Sequence, residues 1–228
     1  MDYSQRGQLL SRDPLPLEMG IARLETGVLH AVGRAKMPEC TGRMLEFWFG
    51  WFHTSEHYRL WHPIDHVSAK WDEHWKPGQY IGATSTVVES LDLGKSEPVM
   101  LHIKFQDPAD VFGAAPWAAA LESGAVSGAI AASVTFGETP VPDEHGDLIG
   151  ARIIHVAYDT PVGCTLRCRF WLGHGAPASP DELREAIPDQ LGIDLSQHSE
   201  IEYSNLGRFL PALYNREHPT AALMPLTL

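Results

Sequence analysis

Between residues 82 and 172 the chain alternates apolar and polar side chains in short runs separated by turn residues, and it then closes on one amphipathic helical stretch. That order constrains the fold more than any other feature. Val99, Leu101, Ile103 and Phe105 share one face of residues 99–105, and His102 and Lys104 share the other, which is the two-residue period of a strand. Residues 84–91 are rich in Thr and Val, and the turn formers at 92–96 join the two runs as a hairpin. Residues 132–137 pair with 151–158 across the 142–147 turn. In residues 164–172, Leu166, Cys168 and Phe170 oppose Arg167, Arg169 and Trp171. A helix is predicted from about 196 to 214, kinked or interrupted at Pro211. Antiparallel strands followed by a long helix predict an α+β fold, with the helix lying across a curved sheet and a cavity between them.

Upstream of the strands, the start is irregular and Pro-rich to about Pro16, an apolar stretch covers 27–32, and a turn is expected around 36–39. The aromatic residues of 41–52 fall on several faces of a helical period, as in a helix buried on most sides, with Thr41 as N-cap. A second helical segment, 55–61, takes Ser55 as its capping residue and stops ahead of Pro63, with His66 just beyond. Residues 107–110 read as a crossing loop, 114–121 as a short helix, and 124–132 as a small-residue loop or strand entry.

A chain of 228 residues, 44% of them hydrophobic, supports one core. Its formal charge of -12 and the lack of a Lys/Arg cluster remove the electrostatic footprint for nucleic acid or anionic membrane. The first twenty residues lack the basic start and apolar core of a secretory signal, and no apolar run reaches the roughly 18 residues of a membrane span. A soluble cytoplasmic protein is expected. The three cysteines fit a reducing compartment, and Cys164 and Cys168 lie on a strand without zinc-ribbon spacing, as core thiols.

His198 and Glu202 sit four apart on the last helix, so both side chains leave one face. An imidazole and a carboxylate so placed can chelate zinc, iron or manganese. The plain alternative is a solvated helix pair.

A wider set of residues carries a resemblance. Glu25-Thr26-Gly27, Cys40-Thr41-Gly42, Phe47-Trp48-Phe49-Gly50-Trp51, Tyr58-Arg59-Leu60-Trp61-His62-Pro63-Ile64-Asp65-His66, Gly82-Ala83-Thr84, Arg167-Cys168-Arg169-Phe170-Trp171-Leu172-Gly173 and Glu202-Tyr203-Ser204-Asn205-Leu206-Gly207-Arg208-Phe209-Leu210-Pro211 together resemble the diacetylphloroglucinol hydrolase family, which also holds phloretin hydrolases. The resemblance runs from about residue 24 to about 216. It implies a helix-grip, Bet v 1-like fold and a zinc-dependent cleavage of the carbon–carbon bond between an acyl group and a phenolic ring. A single catalytic domain follows, with an N-terminal extension over 1–40, a helical segment over 41–66 that carries the first metal ligand, and a helix-grip core over 80–216.

Matched residue by residue, the family's zinc ligands fall at His66, Glu89, His198 and Glu202, with Glu97 as the weaker candidate for the strand ligand. The resemblance implies substrate contacts and catalytic roles for Tyr58 and His155, beside a catalytic role for Glu89. A second substrate-contacting tyrosine of the family falls at Phe170, which keeps the ring and lacks the hydroxyl. Zinc-bound water would attack the acyl carbonyl, and hydroxyls ortho and para to the acyl group would let the ring carbon leave with a proton. The expected partner is a small phenolic ketone or related β-diketone, with a homodimer left open. Two other classes remain: a carrier holding an apolar ligand in the cavity, and an iron-dependent oxygenase built on two His and one carboxylate.

Overall fold

Alternation along Val99–Gln106 buries Leu101 and Phe105 on one side, and the same two-residue period runs through its neighbour Thr84–Glu89, where Ser85, Val87 and Glu89 all point inward. These are strands β5 and β4 of a computed structural model that describes residues 1–219. Within those residues, β1 (Gly20–Arg23), β2 (Leu29–Pro38), β3 (His66–Trp71), β4, β5, β6 (Gly128–Phe136), β7 (Gly150–Thr160) and β8 (Gly163–His174) form one antiparallel sheet. Its order is β1-β2-β8-β7-β6-β5-β4-β3. The expected pairings are present: Ser85 lies opposite Ile103, Ala132 opposite Ile153, and Ile153 opposite Phe170.

A 3₁₀ helix over Tyr3–Leu10, capped by Asp2, replaces part of the start expected to be irregular, and helices α1 (Gly42–Trp51), α2 (Ser55–Trp61), α3 (Pro108–Phe112), α4 (Ala114–Glu122), α5 (Pro180–Ala186), α6 (Asp189–Gly207) and α7 (Leu210–Glu217) complete the described elements. The sheet curves around α6, the helix-grip arrangement expected from the sequence. Close approach is possible because Gly33 of β2 has no side chain where Ser196 and Ser199 of α6 cross it. Among the described residues no helix is long and apolar enough to cross a membrane. All three cysteines are free and buried.

Several local expectations are corrected. The final helix is interrupted near Pro211 as expected, with Pro211 in the first turn of α7 where its missing N–H is harmless, but α6 begins at Asp189 rather than near 196, so His198 stands mid-helix. Thr54, not Ser55, caps α2 by accepting from His57 N. The loop at 107–110 opens α3, capped by the Asp107 carboxylate. The turn at 36–39 is shorter than expected, because Lys36, Met37 and Pro38 still pair with β8.

Both faces of β8 are buried. Leu166, Cys168 and Phe170 face α6, while Arg167, Arg169 and Trp171 lie under the N-terminal segment. Arg167 donates to Ser11 O and Asp13 O, each at 2.9 Å, Arg169 to Leu17 O at 3.1 Å, and Trp171 Nε1 to Met1 O at 2.9 Å. An irregular segment can cover a sheet only if its carbonyls find donors, and the guanidinium forks supply them.

The Gly33 crossing yields a test. A Cβ at this position would stand 2.4 Å from Ser199 Oγ and 3.1 Å from Ser196 O, so Gly33→Ala should cost about 1–3 kcal/mol in urea unfolding. Gly7→Ala, whose Cβ would meet nothing within 4 Å, should stay within about 0.5 kcal/mol of the parent.

Candidate active site

Three elements deliver ionisable side chains to one buried point. Helix α2 ends at Trp61, and the following turn is held by His62, whose Nδ1 accepts from Asp65 N at 3.1 Å. His66 then opens β3 and pairs with Glu89 at the end of β4. From the opposite side, α6 presents His198 and Glu202 one turn apart, both buried.

The partners assign the tautomers. His66 Nδ1 lies 2.9 Å from the carbonyl of Tyr58 and must donate to it, and His198 Nδ1 lies 2.9 Å from Asp65 Oδ2 and donates likewise. Each ring therefore turns an Nε2 lone pair toward the same space. His66 Nε2 stands 3.4 Å from Glu89 Oε2 and 3.6 Å from Glu202 Oε2, and His198 Nε2 stands 3.8 Å from Glu202 Oε2. Ligands bonded at about 2.0–2.2 Å around one tetrahedral ion are separated by about 3.4 Å. Ligand atoms of His66, Glu89 and His198 lie within 4.8 Å of one another, and His66 Nε2 is buried with no hydrogen-bond partner among the described residues. The residues fit a divalent cation.

Electrostatics support the fit. Burial and the neighbouring His198 hold His66 well below the usual imidazole range, so it stays neutral, as a ligand must. Burial also pushes the Glu202 carboxyl up to about 8 and raises that of Glu89. At His198 burial is outweighed by the Asp65 hydrogen bond and by the charges of Glu202, Glu89 and Asp65, which raise it to about 9. Without an ion the carboxylates draw a proton onto His198; a cation answers the same excess of negative charge.

His62, Asp65 and His198 also lie within 4.8 Å of one another. Asp65 is already engaged: it accepts from His198 and, at 2.7 Å, from Ser90 Oγ. The His62 ring stacks on His198 with centroids 4.6 Å apart. This cluster holds His198 in orientation, the carboxylate–histidine arrangement found behind metal ligands.

Tyr58 joins the centre twice. Its hydroxyl donates to Glu89, and its ring lies parallel to that of His66 with centroids 3.7 Å apart. Beyond it extends an apolar cavity, walled by Phe49, Phe52, Val87, Ile103, Phe105 and Ile153 among others. His155 and Phe170 line it 5.3 Å apart. Burial drives His155 down to about 3, so its ring is neutral. Of the sequence-predicted residues, His66, Glu89, His198, Glu202 and Tyr58 thus meet at one end, and His155 and Phe170 stand on the cavity wall. Glu97 is exposed in the loop before β5 and takes no part.

Sequence reasoning passed over Asp65, His62, Ser85 and Tyr203. The first two stand inside the Trp61-His62-Pro63-Ile64-Asp65-His66 stretch, where a carboxylate beside a predicted ligand was the available signal. Ser85 shares the inward parity of Glu89 on β4. Tyr203 follows Glu202 directly, and only helix packing turns it into the cavity.

Comparison with known proteins gives the family of the chain. A family model described as the DAPG hydrolase PhiG domain matches residues 1–215. The chain belongs to this diacetylphloroglucinol hydrolase family. It is similar to 2,4-diacetylphloroglucinol hydrolase of Pseudomonas protegens, at 27% identity over 94% of this chain and 73% of the relative. It is also similar to phloretin hydrolase of Eubacterium ramulus, at 26% identity over 96% of this chain and 79% of the relative. Among solved structures, Ara h 8.0201 aligns with 81% of this chain and 99% of its own length, at 13% identity and a TM-score of 0.45. Family membership makes the chain a hydrolase acting on carbon–carbon bonds in ketonic substances, as the sequence resemblance implied.

Two substitutions separate the strand carboxylates. Glu89→Gln should lower both metal affinity and turnover by orders of magnitude, whereas Glu97→Gln should match the parent; equal effects would remove Glu89 from the centre. Asp65→Asn, which loses the charged acceptor behind His198, should weaken metal binding about 10- to 100-fold in a competition titration with a chelator.

Proposed function

We propose that this chain hydrolyses the bond between an acyl carbonyl carbon and a polyhydroxylated aromatic ring, or the matching bond of a related β-diketone, with zinc held by His66, Glu89, His198 and Glu202. The observation that carries this reading is the unpartnered His66 Nε2 facing two buried carboxylates and a second imidazole at the polar end of an apolar cavity. Zinc bound there would supply a Lewis acid for the acyl oxygen and water acidified to a pKa of about 7.

The remaining work falls to the protein. Asp65 and the Tyr58 carbonyl hold the Nδ1 protons of His198 and His66, which keeps both Nε2 lone pairs free. Tyr58, stacked on His66 and donating to Glu89, fixes both in place. Hydrolysis delivers hydroxyl to the acyl carbon and a proton to the ring carbon, releasing a carboxylic acid and the free phenol. The ring carbon accepts that proton readily only when ortho and para hydroxyls let it pass through a keto tautomer, which selects acylphloroglucinol-like substrates. The neutral His155 ring is the donor that would hold a phenolic oxygen and present the proton, while Tyr58 Oη, its own proton on Glu89, would accept from a phenol hydroxyl. The aromatic walls keep bulk water from competing.

Metal analysis followed by incubation with acylated phloroglucinols and cyclic diketones tests the reading. We expect about one zinc per chain and release of the free acid, both lost in His198→Ala. Folded protein without stoichiometric metal and without acid release would favour a carrier of hydrophobic ligands, and iron with oxygen uptake would favour an oxygenase. Phe170→Tyr adds a hydroxyl to the wall beside His155; it should raise kcat/KM on trihydroxylated ketones relative to dihydroxylated ones, and an unchanged ratio would remove position 170 from the phenol's path.

A further inference from the structure

Buried polar groups in folded proteins nearly always find partners, because leaving one unpaired costs free energy. Four groups on the wall of this cavity have none among the described residues: Tyr203 Oη, His155 Nδ1, Ser85 Oγ and Trp61 Nε1. Tyr203 is the most informative of them. Its side chain is fully buried, and its ring stands 5.1 Å from that of His155 and 5.5 Å from that of Trp61, centroid to centroid. It reaches the cavity from α6, while Phe170 reaches it from β8, and the His155 ring stands about 5 Å from each, at 5.1 and 5.3 Å. A tyrosine hydroxyl at this place can both donate and accept.

A phenylalanine would fill this position equally well, and nothing in the fold repays the hydroxyl. Removing an unsatisfied buried hydroxyl while keeping the ring is neutral or stabilising. The partner is a group that the cavity admits: a water in the free protein and an oxygen of the substrate that displaces it. The surrounding wall is aromatic and aliphatic, and the neighbouring His155 is itself an unpaired neutral ring, so an oxygen entering between them would be held from two sides.

We infer that Tyr203 is a specificity-determining residue that binds a ring hydroxyl of the substrate together with His155, reading from the helix side the oxygen that the Phe170 position on β8 leaves without a protein hydroxyl. The inference rests on the acylphenol reading of the cavity. It extends that reading to a residue with no place in the predicted site.

Tyr203→Phe tests it, because the ring and packing survive. Calorimetric binding and kcat/KM are measured on two acetophenones, one with three ring hydroxyls and one with two, for the parent and for the variant, together with thermal midpoint and bound metal. We expect the parent to prefer the trihydroxylated ketone and the variant to lose about 10- to 100-fold on it, with little loss on the dihydroxylated one. The midpoint should stay level or rise, and metal content should not change. An equal loss on both ketones, or none on either, overturns the assignment of Tyr203. A parent that binds the two ketones differently without cleaving them sinks the hydrolase reading and leaves the binding assignment to be decided by the same variant. A parent that neither binds nor cleaves either ketone overturns both.

Discussion

The hydrogen bond from His198 Nδ1 to Asp65 Oδ2, 2.9 Å long, holds the two halves of the centre together. Asp65 is fully buried and gathers donors from three places: His198 on α6, the Ser90 hydroxyl just past β4, and the backbone N–H of Leu93. Those interactions hold its carboxyl well below the usual range even though burial opposes them. A buried carboxylate is tolerated only when its lone pairs are satisfied. Here the same bonds that satisfy it also fix the helix against the turn that introduces His66.

Everything polar in the cavity follows from that anchor. Asp65, Glu89 and Glu202 bring more negative charge into the interior than the surrounding imidazoles can answer while neutral. The rise of His198 to about 9, against its burial, registers that imbalance, while the upward shifts of Glu89 and Glu202 come first from their burial. Such a centre is expensive to build for stability alone, since a well-packed apolar core would serve better. It makes sense as a site that binds a cation, next to a chamber whose walls are otherwise hydrocarbon.

The outer face of the sheet meets a different demand. Arg167, Arg169 and Trp171 have the parity of surface residues on β8, yet they lie buried beneath residues that precede the first strand. They act there as donors for the carbonyls of an irregular segment. This side stiffens β8 and β7, which carry Phe170 and His155 on their inner faces. The inner wall of the cavity thus depends on packing behind it.

Sequence alone determined the alternating strands, their hairpin order and the closing helix, because side-chain period is a local property of the backbone. The four-residue spacing of His198 and Glu202 was legible for the same reason, and the family resemblance supplied His66, Glu89, Tyr58 and His155. What only the tertiary structure decided is which distant groups meet. Asp65 and His198 stand 133 positions apart, and their contact depends on how far the sheet curves around α6 and where Gly33 lets that helix settle. Whether Tyr203 packs into the core or opens onto the cavity is likewise set by the rotation of α6, because helical periodicity specifies a face without specifying what that face will meet.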